Sequence, residues 1–533
     1  MIGDPRYDCA GLIERQLVRR DGQDYMFAHA MVREGVYSSL LDVKKREIHQ
    51  RAAEWFENID YVLRAEHLDR AENPGAVDAY RHAAENESKQ FRFEWALQLI
   101  GRGREIATDD GDVFRLLMLE GVCQSDIGNP AEAVEIYRQA QDVATDDVGR
   151  CHAWIGLASV MRPVDDYDRA LATLDRAEPI ARDNDMHREL FQVHYYRGSI
   201  YFPLGNLEGC LEQHGLALEY ARRACSAEEE TLALSGLGDA NYMRGHMIKA
   251  FGYYDQCIEL SHRNGFGRIE IANLVLRADT HLYQNRLKIA YDECMVAVSA
   301  AAKAGHHRAE IVARVGGLGW IGIETGELAA TRHNLEVALD KARQIGMGRF
   351  QALALVFLAK IQALEDNWSG ATASAEEAVS ISREAGITFS GPMALGVLAV
   401  CRADPAARLD ALREAEEILC DNCVSHNYFY LYRDGMEIHL HSGEWGRVEY
   451  FAQALEDYTS GEPLPWTDFF IARARVLAAY GKGTANDAAT AELTRLRDEA
   501  VAVGFNTAMP ALERALAGEP VGPALLPILQ SAD

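Results

Sequence analysis

Small side chains return at a regular interval along most of the chain and set its pattern of apolar and polar positions. In each repeat one small or medium residue is followed by another seven positions later, and successive repeats begin 37, 40 or 41 residues apart. Small residues with this spacing let two antiparallel helices approach closely. The pattern therefore predicts a series of similar helical hairpins. The leading positions are Ala96, Ala133, Ala170, Cys210, Ala250, Ala290, Thr331 and Ala371.

A second series of small residues marks the other helix of each predicted hairpin. It precedes the leading series by twelve positions, or by fourteen at Gly156. Its members are Ala84, Gly121, Gly156, Gly198, Gly238, Ala278, Gly319 and Ala359. Turn residues such as Gly205, Asn285 and Gly326 lie between the two series and can end a helix in the left-handed conformation. One hairpin cannot bury its apolar face alone, so we predict an all-α solenoid of stacked hairpins in a right-handed superhelix.

The order of small, turn and aromatic positions resembles the tetratricopeptide repeat, as in Gly121 through Ala133, Tyr137 and Ala140. The interval exceeds the usual value of about 34 residues, which predicts slightly longer helices. The resemblance implies tetratricopeptide-like repeats over residues 61–390 and divergent helical repeats over 391–518. Residues 518–523 contain two glycines and two prolines and cannot continue a helix, so residues 519–533 are predicted to form a tail.

Residues 1–60 do not fit the repeat. Apolar residues near Leu12 are followed by a turn at Asp21-Gly22 and by Tyr25-Met26-Phe27, which predicts a short helix and a hairpin. The series Phe27-Ala28-His29-Ala30, Arg33-Glu34, Tyr37 and His49 resembles the end of the winged-helix segment in STAND-type signalling ATPases. That resemblance implies a remnant of the winged helix that joins a nucleotide-binding module to a repeat sensor. His29 and His49 are predicted to pack at helix ends and not to catalyse a reaction.

The later part of the chain resembles a second multidomain family. Ser425-His426-Asn427-Tyr428, Gly443-Glu444-Trp445 and the run from Glu462 to Phe470 are similar to the carboxyl-terminal repeat region of bacterial adenylate/guanylate cyclases fused to an AAA-like ATPase. Those proteins carry a phosphate-binding glycine loop, but this sequence has no Gly-x-x-x-x-Gly-Lys-Ser/Thr motif, and Gly481-Lys482-Gly483-Thr484 has the wrong spacing. We therefore expect a non-catalytic chain without a cofactor.

Charge and composition narrow the range of partners and compartments. Asp and Glu number 81 against 54 Lys and Arg, which gives a net charge of −27 and a field that repels nucleic acid and anionic lipid. No run of about 18 apolar residues predicts a membrane span. The ten cysteines are scattered, as is usual in a reducing compartment. The chain is predicted to be cytoplasmic.

The first helices of the predicted hairpins line the inside of the curve and supply a candidate groove for a protein, a peptide or a small ligand. Aromatic and carboxylate side chains alternate there, which is the composition of a partner site. The alternative is that the aromatic residues belong to the core. The groove residues are Tyr195, Ser199, Phe202, Asp239, Tyr242, Asp279, Tyr283, Trp320 and Lys360.

Arginines follow the turns between hairpins, where a cation opposes the helix dipole. They are Arg188, Arg268, Arg308 and Arg349, and either they bind an anion or an acidic peptide, or they pair with carboxylates such as Glu270 and Glu310 in neighbouring hairpins. Cys420 and Cys423 have the spacing of metal ligands, with His426 nearby. A closed zinc site requires four ligands and no second Cys-x-x-Cys occurs, so no metal is predicted.

The sequence thus predicts a scaffold or sensor that regulates a signalling ATPase or a nucleotide cyclase. Two alternatives remain open at this stage. The chain could be a fragment of a multidomain adenylate/guanylate cyclase with an ATP-binding domain, or of a STAND-type transcription regulator.

Overall fold

Helical hairpins account for nearly all of the residues that the computed structural model describes, namely 9–22, 24–162 and 166–520. Most of the predicted tail, residues 521–533, lies outside the described residues. The chain divides into two compact units between Asp185 and Met186. This division falls inside the predicted array of residues 61–390, and the boundaries predicted at residues 60 and 390 stay predictions.

Unit 1 comprises the residues up to Asp185 and begins with a short helix and an antiparallel hairpin. Val18 pairs with Phe27 and Asp21 with Asp24 across the two strands, so the predicted hairpin is confirmed. The helices that follow pack in antiparallel pairs. The elements are α1 (Ala10–Glu14), β1 (Val18–Asp21), β2 (Asp24–Phe27), α2 (Ala30–Ser38), α3 (Asp42–Trp55), α4 (Tyr61–Arg70), α5 (Ala76–Lys89), α6 (Phe93–Ile106), α7 (Asp110–Ile127), α8 (Pro130–Val143), α9 (Asp147–Met161) and α10 (Tyr167–Asp183).

Unit 2 comprises the residues from Met186 and continues the hairpin pattern. Its helices are α11 (His187–Tyr201), α12 (Leu207–Arg223), α13 (Ala227–Met243), α14 (Met247–Asn264), α15 (Gly267–Tyr283), α16 (Leu287–Lys303), α17 (His307–Val312), α18 (Gly319–Thr325), α19 (Leu328–Gln344), α20 (Gly348–Leu364), α21 (Trp368–Ala385), α22 (Ile387–Cys401), α23 (Pro405–Leu419), α24 (Ser425–Ser442), α25 (Trp445–Thr459), α26 (Pro465–Gly481), α27 (Asp487–Val503) and α28 (Met509–Leu516). A π-helical segment, Ala313–Leu318, joins α17 to α18.

The small residues of both predicted series lie at helix crossings. Ala250, Ala290 and Ala371 are fully buried. A Cβ atom added at Gly238 would lie 2.3 Å from Cε1 of Tyr254, so the helices of this hairpin approach too closely for any side chain at this position. Gly205 and Gly326 have positive φ angles, as the predicted turns require. The tetratricopeptide-like helical solenoid is confirmed.

The π-helical segment explains the irregular spacing of one repeat. The interval from Ala290 to Thr331 is 41 residues and contains the segment, whereas the three preceding intervals are 40. A π-helical turn holds one residue more than an α-helical turn. A Cβ atom at Gly316 would lie 2.9 Å from Oδ2 of Asp279, so glycine is needed where the wide turn meets α15.

A break at Asp404-Pro405 separates α22 from α23. Pro405 begins α23, and the Asp404 carboxylate accepts a hydrogen bond from the Ala407 amide at 2.9 Å. The two helices pack against each other, so they form one more hairpin of the same kind.

Candidate functional site

The first helices of the unit 2 hairpins face one another across the inside of the solenoid. We call them the inner helices: α11, α13, α15, α18, α20, α22, α24 and α26. The last two reach back to earlier ones, since α24 contacts α13 and α26 contacts α15. The chain's own carboxyl-terminal helices therefore cover part of the predicted groove.

The aromatic residues of the groove pack against these late helices. The Tyr283 ring lies 4.8 Å from that of Phe429, and the Trp320 ring lies 5.0 Å from that of Tyr430, between centroids. Tyr283 is fully buried and Trp320 is 3 % exposed. Both side chains form part of the core in this arrangement, so a partner could reach them only if α24 and α26 moved.

The other predicted groove residues lie in two settings. Asp279 is buried beneath the π-helical segment. The remaining six, which are half-buried, are Tyr195, Ser199, Phe202, Asp239, Tyr242 and Lys360. Their role in partner binding stays a prediction.

Three buried ion pairs form the polar part of the inner surface. Glu324 and Arg433 make a bidentate pair, with Oε2 and Nη2 3.1 Å apart. Nζ of Lys360 lies 2.9 Å from Oδ1 of Asp434, and Arg473 pairs with Glu437. The first two pairs join α24 to α18 and α20.

These side chains surround a cavity of about 40 Å³. Its aromatic walls include Trp320, Phe357, Tyr430 and Phe470. Of these charged residues only Lys360 was singled out from the sequence; no role was predicted for Glu324, Arg433, Asp434, Glu437 and Arg473. A signal did exist, because charged residues interrupt inner helices that are otherwise largely apolar.

Two carboxyl groups on earlier inner helices have pKa values that burial raises. The Tyr254 hydroxyl donates to Oδ1 of Asp239 at 2.8 Å, yet burial dominates and raises the pKa of Asp239 to about 6. The positive charge of Arg308 opposes this rise in the pKa. Burial raises the pKa of Asp279 well above its usual value, which favours the neutral carboxylic acid.

His426 lies at the contact between α13 and α24, and its hydrogen bonds define the protonation state of its ring. Its Nε2 faces the Phe389 carbonyl oxygen at 2.5 Å, which can only accept, so Nε2 carries the proton. Nδ1 is then free to accept from the Tyr242 hydroxyl at 3.2 Å. Burial lowers the pKa of His426 to about 4.

We expect acid to weaken this contact. The neutral ring contributes stability that is fully present above the unfolded pKa of about 6.5 and is lost as the pH falls through the folded pKa. Between pH 7 and pH 5 the loss is about 2 kcal/mol. It is measured as the free energy of opening of the α24 amides, from hydrogen exchange corrected for the intrinsic effect of pH. His426→Asn should show a smaller pH dependence, and an equal one in both proteins would contradict this assignment.

The arginine row occupies equivalent positions in the solenoid. Arg188, Arg268, Arg308 and Arg349 are each the second residue of an inner-side helix, at α11, α15, α17 and α20. The first three are exposed, and the Arg349 guanidinium lies 5.4 Å from the ring centroid of Phe389. The two carboxylates considered as their partners have other contacts: Glu270 with His262, and Glu310 with Arg314 and Lys341. The anion site stays a prediction.

The cysteine pair and His49, which the sequence analysis also considered, make the following contacts. Cys423 is buried and its Sγ lies 3.3 Å from the Ile418 carbonyl oxygen, whereas Cys420 is exposed. In the described ranges, no group of three or more His, Cys, Asp or Glu side chains could hold a metal ion. In unit 1, His49 hydrogen-bonds to Tyr37 and His67, at 2.8 Å each.

Over the same described ranges, no helix is both long and apolar enough to span a bilayer.

Comparisons with known proteins support the fold. Residues 116–194 match the family model described as Tetratrico peptide repeat. No curated protein sequence matches the chain. The helical solenoid resembles solved structures at low sequence identity, and these likenesses establish the fold alone.

The first of these structures is a Signal Transduction ATPase with Numerous Domains (STAND) protein with a tetratricopeptide repeat sensor, from Pyrococcus horikoshii. It is 17 % identical over 71 % of this chain and 59 % of its own, with a TM-score of 0.50, so the match spans less than two thirds of that protein. The second is a Rap protein complexed with Competence and Sporulation Factor. It is 14 % identical over 64 % of this chain and 97 % of its own, with a TM-score of 0.51.

Proposed function

We propose that this chain is a non-catalytic sensor that binds a protein, a peptide or a small ligand on the inner surface of unit 2. Binding there would regulate a signalling ATPase or a nucleotide cyclase. The observation that carries the proposal is the polar contact between the inner helices and α24, made by Glu324 with Arg433, Lys360 with Asp434 and Tyr242 with His426.

A buried polar contact suits a conformational switch better than a permanent interface between helices. Burying an ion pair costs solvation free energy that its attraction only roughly offsets, whereas apolar packing of the same volume gives a larger net stability. The polar part of the contact with α24 can therefore be exchanged for another polar partner at a modest net cost. The chain then shifts toward whichever arrangement of α24, seated or displaced, the partner binds more tightly. The size of the shift is set by the difference between the two affinities.

The comparisons support a role in recognition. One similar protein carries a tetratricopeptide repeat sensor in a signal transduction ATPase, and another was solved with Competence and Sporulation Factor bound. Stacked helical repeats generally present extended binding surfaces. The proposed ATPase or cyclase target is supported by the sequence resemblances in residues 27–49 and 425–470.

The proposed lack of catalysis and the proposed compartment also have support. The sequence contains no phosphate-binding loop motif. All ten cysteines are free thiols, and seven of them are buried. Free thiols are typical of the reducing cytoplasm, where we propose that the chain acts.

We predict that the partner contacts the arginine row, because its members recur at the same place, as the second residue of four inner-side helices. In capture from a cell lysate on the immobilised full chain, replacing both Arg268 and Arg308 by alanine should reduce recovery of the partner at least about tenfold, the effect of losing about 1.4 kcal/mol of binding free energy. The control replaces Arg263 and Arg413, which are exposed on the second helices α14 and α23.

Hydrogen exchange provides the second readout of the same experiment. Adding the recovered partner to the wild-type chain should alter exchange in α13, α15 and α24. The proposal fails if both double variants recover the same proteins in equal amounts, or if a bound partner leaves the inner helices unchanged.

A further inference from the structure

Four residues that line the cavity between α18, α20, α24 and α26 carry a buried polar atom without a hydrogen-bond partner among the described residues. These atoms are Nε1 of Trp320, Oη of Tyr430, Oδ2 of Asp434 and Oε2 of Glu437. The four residues are at most 8 % exposed. Buried polar groups are nearly always satisfied in folded proteins. The cavity lining therefore offers a guest the indole N–H as a donor, two carboxylate oxygens as acceptors, and the Tyr430 hydroxyl as either.

The charges around the cavity limit the guest to a neutral group. Three cations, Lys360, Arg433 and Arg473, already face the carboxylates of Asp434, Glu324 and Glu437. A further cation or anion would bring an unbalanced charge into a buried site, which is costly. An anion would also face the two carboxylate oxygens that lack a donor.

Hydrogen-bond complementarity narrows the choice further. The two carboxylate oxygens require two donors, and the indole N–H requires one acceptor. A primary carboxamide supplies two N–H donors and a carbonyl acceptor in one planar group. The volume of about 40 Å³ equals that of roughly three water molecules at 10–15 Å³ each, which suits a group of three or four heavy atoms.

We propose that this cavity binds a primary carboxamide, either on a free small molecule or on a glutamine or asparagine side chain of a peptide. The aromatic rings of Phe357, Tyr430 and Phe470 then contact the apolar stem of the ligand. This inference rests on the proposed function and deepens it by naming the ligand class. A bound amide joins Trp320 on α18 to Asp434 and Glu437 on α24, so it stabilises the contact between these two inner helices.

The test uses acetamide as the probe and ligand-observed NMR on the full chain. Acetamide has four heavy atoms, and a fragment of that size binds with a Kd of about 1 mM. Acetate and methylammonium, which are similar in size but charged, should not bind at this concentration. Trp320→Phe removes the indole donor and keeps an aromatic ring, so it should weaken binding of acetamide at least fivefold.

Trp466→Phe is the matched control, because the Trp466 indole nitrogen is also buried without a partner but does not line the cavity. It should bind acetamide like the wild-type chain. Hydrogen exchange of the α24 amides verifies that both variants fold. The N-acetyl methylamides of glutamine and glutamate distinguish a peptide side chain from a free small molecule as the source of the amide. If the glutamine compound binds more tightly than acetamide, the amide belongs to a peptide. If the two bind equally, it belongs to a free small molecule.

Three results would overturn the inference: no binding of acetamide, equal binding of acetate or methylammonium, or equal effects of the two tryptophan variants. If acetamide does not bind, the cavity holds only water. None of these results bears on the proposed sensor function, which the arginine variants test separately.

Discussion

Replacing Arg433 by alanine is expected to lower the free energy of opening of the α24 amides by about 3–5 kcal/mol. Glu324 is 1 % exposed and its bidentate partner is Arg433, whose guanidinium also lies 3.9 Å from the ring centroid of Phe470. Removing the cation leaves a buried carboxylate without compensation. Hydrogen exchange of peptides from α24 in the full chain measures the effect without assuming that both units unfold together.

Two controls show whether the loss comes from an unpaired charge. Arg413→Ala breaks an exposed pair with Asp410, in which both side chains are more than 60 % exposed, and should change stability by less than about 1 kcal/mol. The double change of Glu324→Gln with Arg433→Met removes both charges and should cost less than Arg433→Ala alone. If Arg433→Ala is at least as stable as the double variant, an unpaired charge is not the cause of the loss of stability.

Gly238→Ala is expected to destabilise unit 2 by about 1–3 kcal/mol through overpacking. The added methyl group would lie 2.3 Å from Cε1 of Tyr254, a ring that is 1 % exposed and held by a hydrogen bond to Asp239. At this distance the ring or the adjacent backbone has to shift, which strains the hairpin of α13 and α14. Hydrogen exchange of the amides in these two helices is the measurement.

Gly252→Ala is the matched control within the same hairpin. A Cβ atom at Gly252 meets nothing within 4 Å, and the residue lies in the interior of α14. The substitution should stabilise the helix by about 0.5–1 kcal/mol, because alanine loses less conformational entropy than glycine on folding. If both substitutions had the same sign, close approach at Gly238 would not be the reason that the position is small.

The repeat was predictable because it depends on local geometry. A small residue at a crossing and a left-handed residue at a turn are required by the hairpin itself, so Gly238, Ala250 and Gly245 carry the signal in the sequence alone. The positions of these residues in the chain determine their positions in the structure. The helical fold follows from them.

The contact between the inner helices and α24 was not predictable in the same way. Glu324 and Arg433 are 109 positions apart, and their meeting depends on the curvature accumulated over several hairpins. Each charge by itself has the pattern of an exposed residue. Tyr283 and Trp320 likewise had the right spacing for a groove, and only the return of α24 and α26 makes them core residues.

The wide turn at Ala313–Leu318 affects how such chains should be aligned with one another. One additional residue in a regular α-helix would rotate everything after it by about 100° about the helix axis. Here Ala290 before the segment and Thr331 after it are both buried, so the extra residue is accommodated within the helix itself. Length differences between related helical repeats therefore need not lie in the connecting loops, and an alignment that places every gap there would assign the wrong side chains to the interior.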